Sequence, residues 1–429
     1  MCDTLVALHD FTPDGSVLFG KNSDRDPDEA HEIVQIPEQY YPPDQTLKTT
    51  YIRIPQVRRT YEVLLAKPFW IWGCEMGVNE NGVVIGNEAL FLKLPAEKKP
   101  GLLGMDLMRL ALERSETAVQ AIDVITRLLE KYGQGGSCGL HNKKFTYHNS
   151  FLIADFTGAF VLETFRRDWA VKKVEGAYSI SNGVSLRDDY QEASSNFKKN
   201  GKIDLKKRYE GFLYTYFSRA KQRRARSSQL LLQHKGSLNP KSMMQILRDH
   251  GDADPDFHPA DLGNGTLCMH AADPLVRKSQ TVGSFIVNLT TKRQIHIFAT
   301  GTSAPCLSVF KPVFLSCDTQ YKAGSFYNPD SLWWGHEVLH RSLLNRSGKT
   351  IAAFRRDRIE FENEIWQEFE EIADAAPEVK GPFSKDVFAK SRAFEARWID
   401  RLKKIPTKRH FFYSTYWRKI SKRNGVPSV

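Results

Sequence analysis

Apolar and polar positions alternate along residues 2–10 (CDTLVALHD) and again along residues 16–22 (SVLFGKN), with Asp14-Gly15 as the turn dipeptide between them. Period-two alternation on both sides of a short glycine turn predicts a β-hairpin. The grammar recurs at 76–91, where Asn81-Gly82 precedes an apolar run, at 149–165, and as a further strand pair within 282–301. Between these blocks, residues 101–133 carry helical spacing. Ser115 is the expected N-cap, Val119, Ile122, Ile125, Leu128, Leu129 and Tyr132 share a face, and Gly133 is the stop. Strand blocks separated by long helices predict an α+β layered fold rather than alternating βαβ units.

The pattern changes twice. A polar, helix-leaning insertion occupies about 186–262 of a body spanning 1–330, and residues 331–429 read as a helical C-terminal extension that turns basic from 385. In that extension Phe394, Trp398 and Leu402 fall at helical spacing and are expected to pack on the body. Phe411, Phe412, Tyr413, Tyr416 and Trp417 sit among bases and are expected to face a partner subunit or an acidic ligand.

Composition leaves this picture intact. The chain has 429 residues, 41% hydrophobic and 26% charged, which supplies a sizeable core and excludes wholesale disorder, collagen and a coiled-coil rod. Its sequence lacks the run of ~20 apolar residues a membrane span needs, and its start lacks the pattern of a secretory leader. Six cysteines lie scattered without CxxC spacing, so neither a disulfide framework nor a zinc finger is expected, and the reading is cytoplasmic with reduced thiols. Charge is uneven: residues 385–423 carry a balance of +10 and residues 198–226 one of +9, leaving −8 for the remainder of a chain whose total is +11. Both basic runs read first as solvated surface. The partner classes open to the chain are a small peptide substrate, a second copy of itself, and nucleic acid or anionic lipid at the basic tail.

Candidate chemistry begins at Cys2. Removal of the initiator Met ahead of a small residue would leave a cysteine carrying a free α-amine, a nucleophile and base in one residue. The returning strand ends in Gly20-Lys21-Asn22-Ser23-Asp24-Arg25, which a hairpin of this length brings back beside Cys2. Lys21 could favour thiolate and Asp24 could hold the amine.

The start MCDTLVAL, with DGSVLFGKNSDRDPDEA after it, resembles the secernin and dipeptidase-A family of N-terminal-nucleophile (Ntn) cysteine hydrolases. The likeness continues through WGCEMGVNENGVVIGNEALF, GLLGMDLMRLALERSETAVQAIDVI, YHNSFLIADFTGAFVLET, YSISNGV, TLCMHA, SQTVGSF and SLWWGHEVLHR. The resemblance implies a four-layer αββα sandwich and a dipeptidase-like hydrolase with residues 1–330 as its catalytic domain. It implies Cys2 as nucleophile, Asp24 as the carboxylate that binds the amine, and Asn182 as an oxyanion donor. Lys21 falls where the related bile-salt hydrolases and penicillin V acylases carry an arginine. Asn87 and Asn79 both stand as candidates for the second oxyanion donor, and an arginine near Arg277 for closing the site. No metal or organic cofactor is expected.

Two other readings compete. His336-Glu337-Val338-Leu339-His340 matches the H-E-x-x-H zinc-peptidase signature, with Glu360 and Glu364 spaced to supply a third ligand. A structural helix with hydrogen-bonded histidines is the plainer account of it. His270 is read as a satisfied core histidine or a pocket residue, and Cys74, Cys138 and Cys268 as small buried side chains. The remaining alternative is a non-catalytic, secernin-like interaction or trafficking protein.

Overall fold

The computed structural model describes residues 1–427 except 200, 264 and 409. The first hairpin forms where the alternation places it: strand β1 (Cys2–Ala7) pairs antiparallel with β2 (Val17–Arg25), Cys2 opposite Ser23 and Thr4 opposite Lys21. These two lie inside a six-stranded antiparallel sheet, flanked by Ala177–Ile180 on one side and by Gln280–Leu289, Ile295–Ala299 and Lys311–Val313 on the other. The pairing of β2 with strand Gln280–Leu289 is interrupted by a bulge between Thr281 and Gly283, opposite Asp24.

A nine-stranded sheet lies against the first. Its central strands are Gly158–Phe165, His148–Asp155, Val84–Leu90, Met76–Asn79 and Val63–Pro68. Val6, Phe19, Phe285 and Val287 of the first sheet share one core with Leu64, Met76, Val84, Leu152 and Val161 of the second. Outside the nine-stranded sheet, helices α1 (Gly104–Arg114) and α2 (Ala118–Tyr132) bury Leu107, Met108, Leu112, Ile122, Ile125 and Leu129 against Leu65, Ile85, Phe151 and Leu162. Outside the six-stranded sheet, Leu231, Met243, Met244, Leu247 and Phe369 from three helices cover Leu5, Leu18, Ile286 and Phe298. The order of layers is therefore α, β, β, α, as expected.

The helical stretch 101–133 divides into α1 and α2. Thr117, not Ser115, caps α2, accepting from the Gln120 amide, while the Ser115 hydroxyl turns back to the Ala111 carbonyl at the end of α1. Helix α2 turns the 118, 121, 122, 125 and 129 positions inward, and Val119, about 100° round the helix from Ala118, is 60% exposed instead of belonging to the buried face. The Gly133 stop holds, in a positive-φ conformation.

Residues 186–262 contain short helices followed by Ala220–Gln233 and Pro240–Leu247, and residues 331–427 hold Leu332–Leu343, Gly348–Ile372, Pro377–Lys403 and Phe411–Asn424. Phe394, Trp398 and Leu402 pack with Cys306, Leu307, Leu339 and Phe354. The last helix departs from its expectation. Tyr413 and Trp417 are buried with Ala271, Ala272 and Leu344, and the Trp417 indole donates to the Ala271 carbonyl. Phe411 and Phe412 do face outward. Interleaving bases with aromatics thus marks an amphipathic helix docked by its aromatic side rather than a free arm. Among the described residues no helix is long and apolar enough to cross a membrane.

Candidate active site

Cys2 opens β1 next to the strand that returns Ser23 and Asp24, so hairpin register alone places a thiol beside a carboxylate residue. The Asp24 amide donates to Cys2 Sγ at 3.4 Å, and the Met1 ammonium donates to the Asp24 carbonyl at 2.8 Å. The Cys2 amide nitrogen donates to Asn182 Oδ1 at 2.9 Å. Asp24 Oδ1 accepts from the Thr281 hydroxyl at 2.6 Å, across the sheet at the bulge, while Oδ2 is buried without a hydrogen-bond partner.

Burial dominates the electrostatics. It pushes the Cys2 thiol up to about 12, against the pull of the Lys21 ammonium. It also raises the Asp24 carboxyl to about 6, against the N-terminal ammonium and Arg223. Lys21 lies wholly buried between the two sheets, with Nζ 3.5 Å from Glu88 Oε1. Gly86 makes that crossing feasible, since a Cβ there would sit 2.6 Å from Lys21 Cδ and 2.9 Å from the Phe19 ring.

Asn182 is fixed from three directions. Its Oδ1 accepts from Cys2 N and from Arg223 Nη2 at 2.8 Å, and its Nδ2 donates to the Ala89 carbonyl at 3.1 Å. Arg223 is fully buried and also donates to the Cys2 carbonyl at 3.0 Å, to the Ser218 carbonyl at 3.0 Å and to the Asp3 carboxylate. It stands in the first basic run, read from sequence as solvated surface. Only the phase of helix Ala220–Gln233 separates it from its exposed neighbours, and a run of like charges hides that phase.

Arg277 is the corresponding correction. Its guanidinium donates to the carbonyls of Pro259, Ala260 and Leu262, and Val276 and Lys278 on either side line the cavity instead. Of the two asparagines left open, Asn87 lines the cavity and donates to Asn149 Oδ1 at 3.1 Å. Asn79 does not: its Nδ2 ties the Leu112 and Ser115 carbonyls together, and its Oδ1 accepts from the Asn81 and Val83 amides in the turn that follows.

The cavity over Cys2 has a volume of about 440 Å³. Asp24, Asn87 and Cys138 line its inner wall and Phe91, Phe145, Tyr147 and Tyr214 form an aromatic side. Arg25 in this wall is neutralised by Glu29 at 2.6 Å and Glu75 at 2.7 Å. Asp26 and Lys278 bring opposite charges to the lining.

The H-E-x-x-H residues are consumed elsewhere. His336 Nδ1 meets Glu395 at 2.7 Å and its Nε2 meets the Ser303 carbonyl at 3.0 Å. His340 Nδ1 lies 3.2 Å from Glu337, which also binds Arg341 at 2.7 Å. Glu360 and Glu364 are exposed and offer no third ligand. Residues able to hold a metal are a different group, His250, Cys268, His270 and Cys306, none of which lines the cavity.

The family described as acyl-coenzyme A:6-aminopenicillanic acid acyl-transferase matches residues 11–282. Among solved structures the chain is similar to a mutant conjugated bile acid hydrolase from Clostridium perfringens, with 14% identity over 70% of this chain and 88% of that one, at a TM-score of 0.44. It is also similar to the Caenorhabditis elegans ortholog of N-acylethanolamine-hydrolyzing acid amidase, with 12% identity over 66% and 92% and a TM-score of 0.32. Because the family match spans more than half of the chain and takes in Asp24, Asn182 and Arg223, the chain belongs to the acyl-coenzyme A:6-aminopenicillanic acid acyl-transferase family, and its layered architecture is the Ntn-hydrolase fold.

Proposed function

We propose that the chain is a cysteine-type Ntn amide hydrolase acting on small peptides, akin to the secernin and dipeptidase-A enzymes, with Cys2 as nucleophile. The observation that carries this reading is the setting of Cys2: a buried thiol at the floor of a cavity, its own backbone nitrogen held by Asn182, and an unpartnered Asp24 oxygen buried in the same site. With Met1 in place that nitrogen is an amide and the thiol, pushed up to about 12, has no base. Removal of Met1 turns the nitrogen into an α-amine of ordinary pKa ~7.7–8.0, able to take the thiol proton. Asp24 Oδ2 then accepts from the ammonium so formed.

The thiolate attacks the amide carbonyl, and the oxyanion is met by Asn182, since both Asn87 Nδ2 hydrogens are given to Asn149 Oδ1 and Met105 Sδ. Asn182 Oδ1 is occupied by Cys2 N and Arg223, which fixes the amide flip and leaves Nδ2 with one hydrogen beyond that given to Ala89. One such donor lowers the barrier by ~2.7–4 kcal/mol. Collapse breaks the C–N bond, the amine leaves with the proton from the α-ammonium, and water hydrolyses the Cys2 thioester in a second cycle of the same base.

A cavity of about 440 Å³ suits a small ligand. Asp26 and Lys278 complement the ends of a zwitterionic peptide, and the aromatic wall suits its side chains. One observation favours a second substrate class, an amide with an apolar acyl chain: Leu213, Tyr214 and Leu275 present an exposed apolar rim.

The test is intact-mass measurement of the purified chain, followed by turnover on matched panels of dipeptides and N-acyl amides with the parent and Cys2→Ala. Loss of Met1 and loss of activity in Cys2→Ala are expected. Parental turnover by Cys2→Ala would overturn the assignment, and activity confined to the acyl amides would move it to the second class.

A further inference from the structure

Four side chains outside the catalytic cavity converge from three separate segments. His250 follows helix Pro240–Leu247, Cys268 and His270 precede strand Gln280–Leu289, and Cys306 lies in the connection between Ile295–Ala299 and Lys311–Val313. One donor atom from each falls within 4.8 Å of all the others. Three of the six distances, all from His270 Nε2, are those of a coordination shell. His250 Nε2 and His270 Nε2 stand 3.2 Å apart, and His270 Nε2 stands 3.4 Å from both Cys268 Sγ and Cys306 Sγ. A tetrahedron with Zn–N of ~2.05 Å and Zn–S of ~2.3 Å requires N···N of about 3.3 Å and S···N of about 3.55 Å.

We propose that His250, Cys268, His270 and Cys306 form a structural zinc site.

Donor chemistry selects the metal. Two thiolates and two imidazoles in a tetrahedral set suit zinc and disfavour calcium or magnesium, which take oxygen ligands. Both cysteines are free thiols rather than a disulfide. Four protein ligands complete the shell and leave no position for water, which marks the site as structural rather than catalytic. The surroundings support the ligands: the Cys268 amide donates to the Asp249 carbonyl at 3.1 Å, the Thr266 hydroxyl donates to the Cys268 carbonyl at 2.9 Å, and Arg355 Nη2 lies 3.9 Å from Cys306 Sγ.

The metal would staple the end of helix Pro240–Leu247 and the 266–270 segment to the floor of the active site. Asn22 Nδ2 donates to the carbonyls of Leu247 and Leu267, at 2.8 and 2.9 Å. Met269, between the two ligands Cys268 and His270, exchanges hydrogen bonds of 3.0 Å with Thr281, whose hydroxyl holds Asp24.

The experiment uses the full chain, purified without chelator and reloaded with zinc. Metal analysis should find about one zinc per chain, retained in Cys2→Ala and lost in the double variant Cys268→Ser with Cys306→Ser. Cobalt(II) replacement in the unaltered chain should give the strong visible bands of a tetrahedral site together with thiolate-to-cobalt charge transfer, a readout independent of activity and of whether the double variant folds. A cobalt spectrum without thiolate charge transfer, a zinc content below about 0.1 per folded chain, or full zinc retention by a folded double variant would each overturn the proposal.

Discussion

Replacing Arg223 with Met is the sharpest probe of the network beneath Cys2. Both Arg223 and Asp3 are 0% exposed, so the substitution strands a carboxylate whose other side-chain contact is the Ser181 hydroxyl at 2.6 Å. It also removes one of two donors to Asn182 Oδ1 and a donor to the Cys2 carbonyl. Breaking a buried pair in this way costs ~3–5 kcal/mol. At 1.4 kcal/mol per decade, that lowers the folded-to-unfolded ratio roughly a hundredfold to several thousandfold. Burial already raises the Asp3 pKa against the pull of Arg223; without the arginine the carboxyl is raised further and takes up a proton in the folded state. The loss is therefore smaller at acid pH and grows as pH rises through that pKa. Urea unfolding at two pH values measures this, and the double variant Arg223→Met with Asp3→Asn supplies the control. Removing the stranded charge should restore at least ~1 kcal/mol relative to the single variant. Turnover should stay low in both variants, because neither repairs Asn182. A single variant within ~0.5 kcal/mol of the parent, or strict additivity in the double, would refute the account.

The pH profile follows from two titrations, with the α-amine required neutral and Asp24 required charged. Log kcat/KM should fall with slope one below the α-amine pKa of ~7.7–8.0 and steepen toward slope two below about 6, where Asp24 takes up a proton; a slope that stays at one down to pH 5 would remove Asp24 from the step. Deleting residues 405–429 should lower the melting temperature clearly, and Trp417→Ala alone should cost ~3–5 kcal/mol in urea unfolding, because Trp417 is 2% exposed against the body; an unchanged melting temperature would show that the last helix is not docked as described.

Local pattern carried the first hairpin because its evidence is local: alternation, a turn dipeptide and a fixed register together put Ser23 and Asp24 opposite Cys2. The same local evidence reached only as far as an α+β layered fold; the two facing sheets were implied by the resemblance, since strand pairing across the core is not a local signal. What escaped is information that only the fold supplies. Arg223 differs from its basic neighbours solely in helical phase, and the contacts of Arg277 with the Pro259, Ala260 and Leu262 carbonyls join segments that only the fold brings together. Val119 lies at the edge of the arc drawn by Ile122, Ile125 and Leu129, and only the packing of α2 on the sheet shows that it falls outside. Tyr413 and Trp417 looked like free aromatics because the surface that receives them, Ala271, Ala272 and Leu344, is remote in sequence. The cluster at His250 draws on residues as far away as Cys306, a separation no short motif records.

Met1 has one more consequence. It lines the cavity, and its ammonium is bonded inside it to the Asp24 carbonyl. Anything joined ahead of it must therefore start at the floor of the substrate space and leave by its mouth. A purification tag at that end would act as a tethered blocker at high effective concentration. Such a tag would also keep the Cys2 nitrogen an amide and so withhold the base, and activity measurements belong on protein tagged behind the last helix.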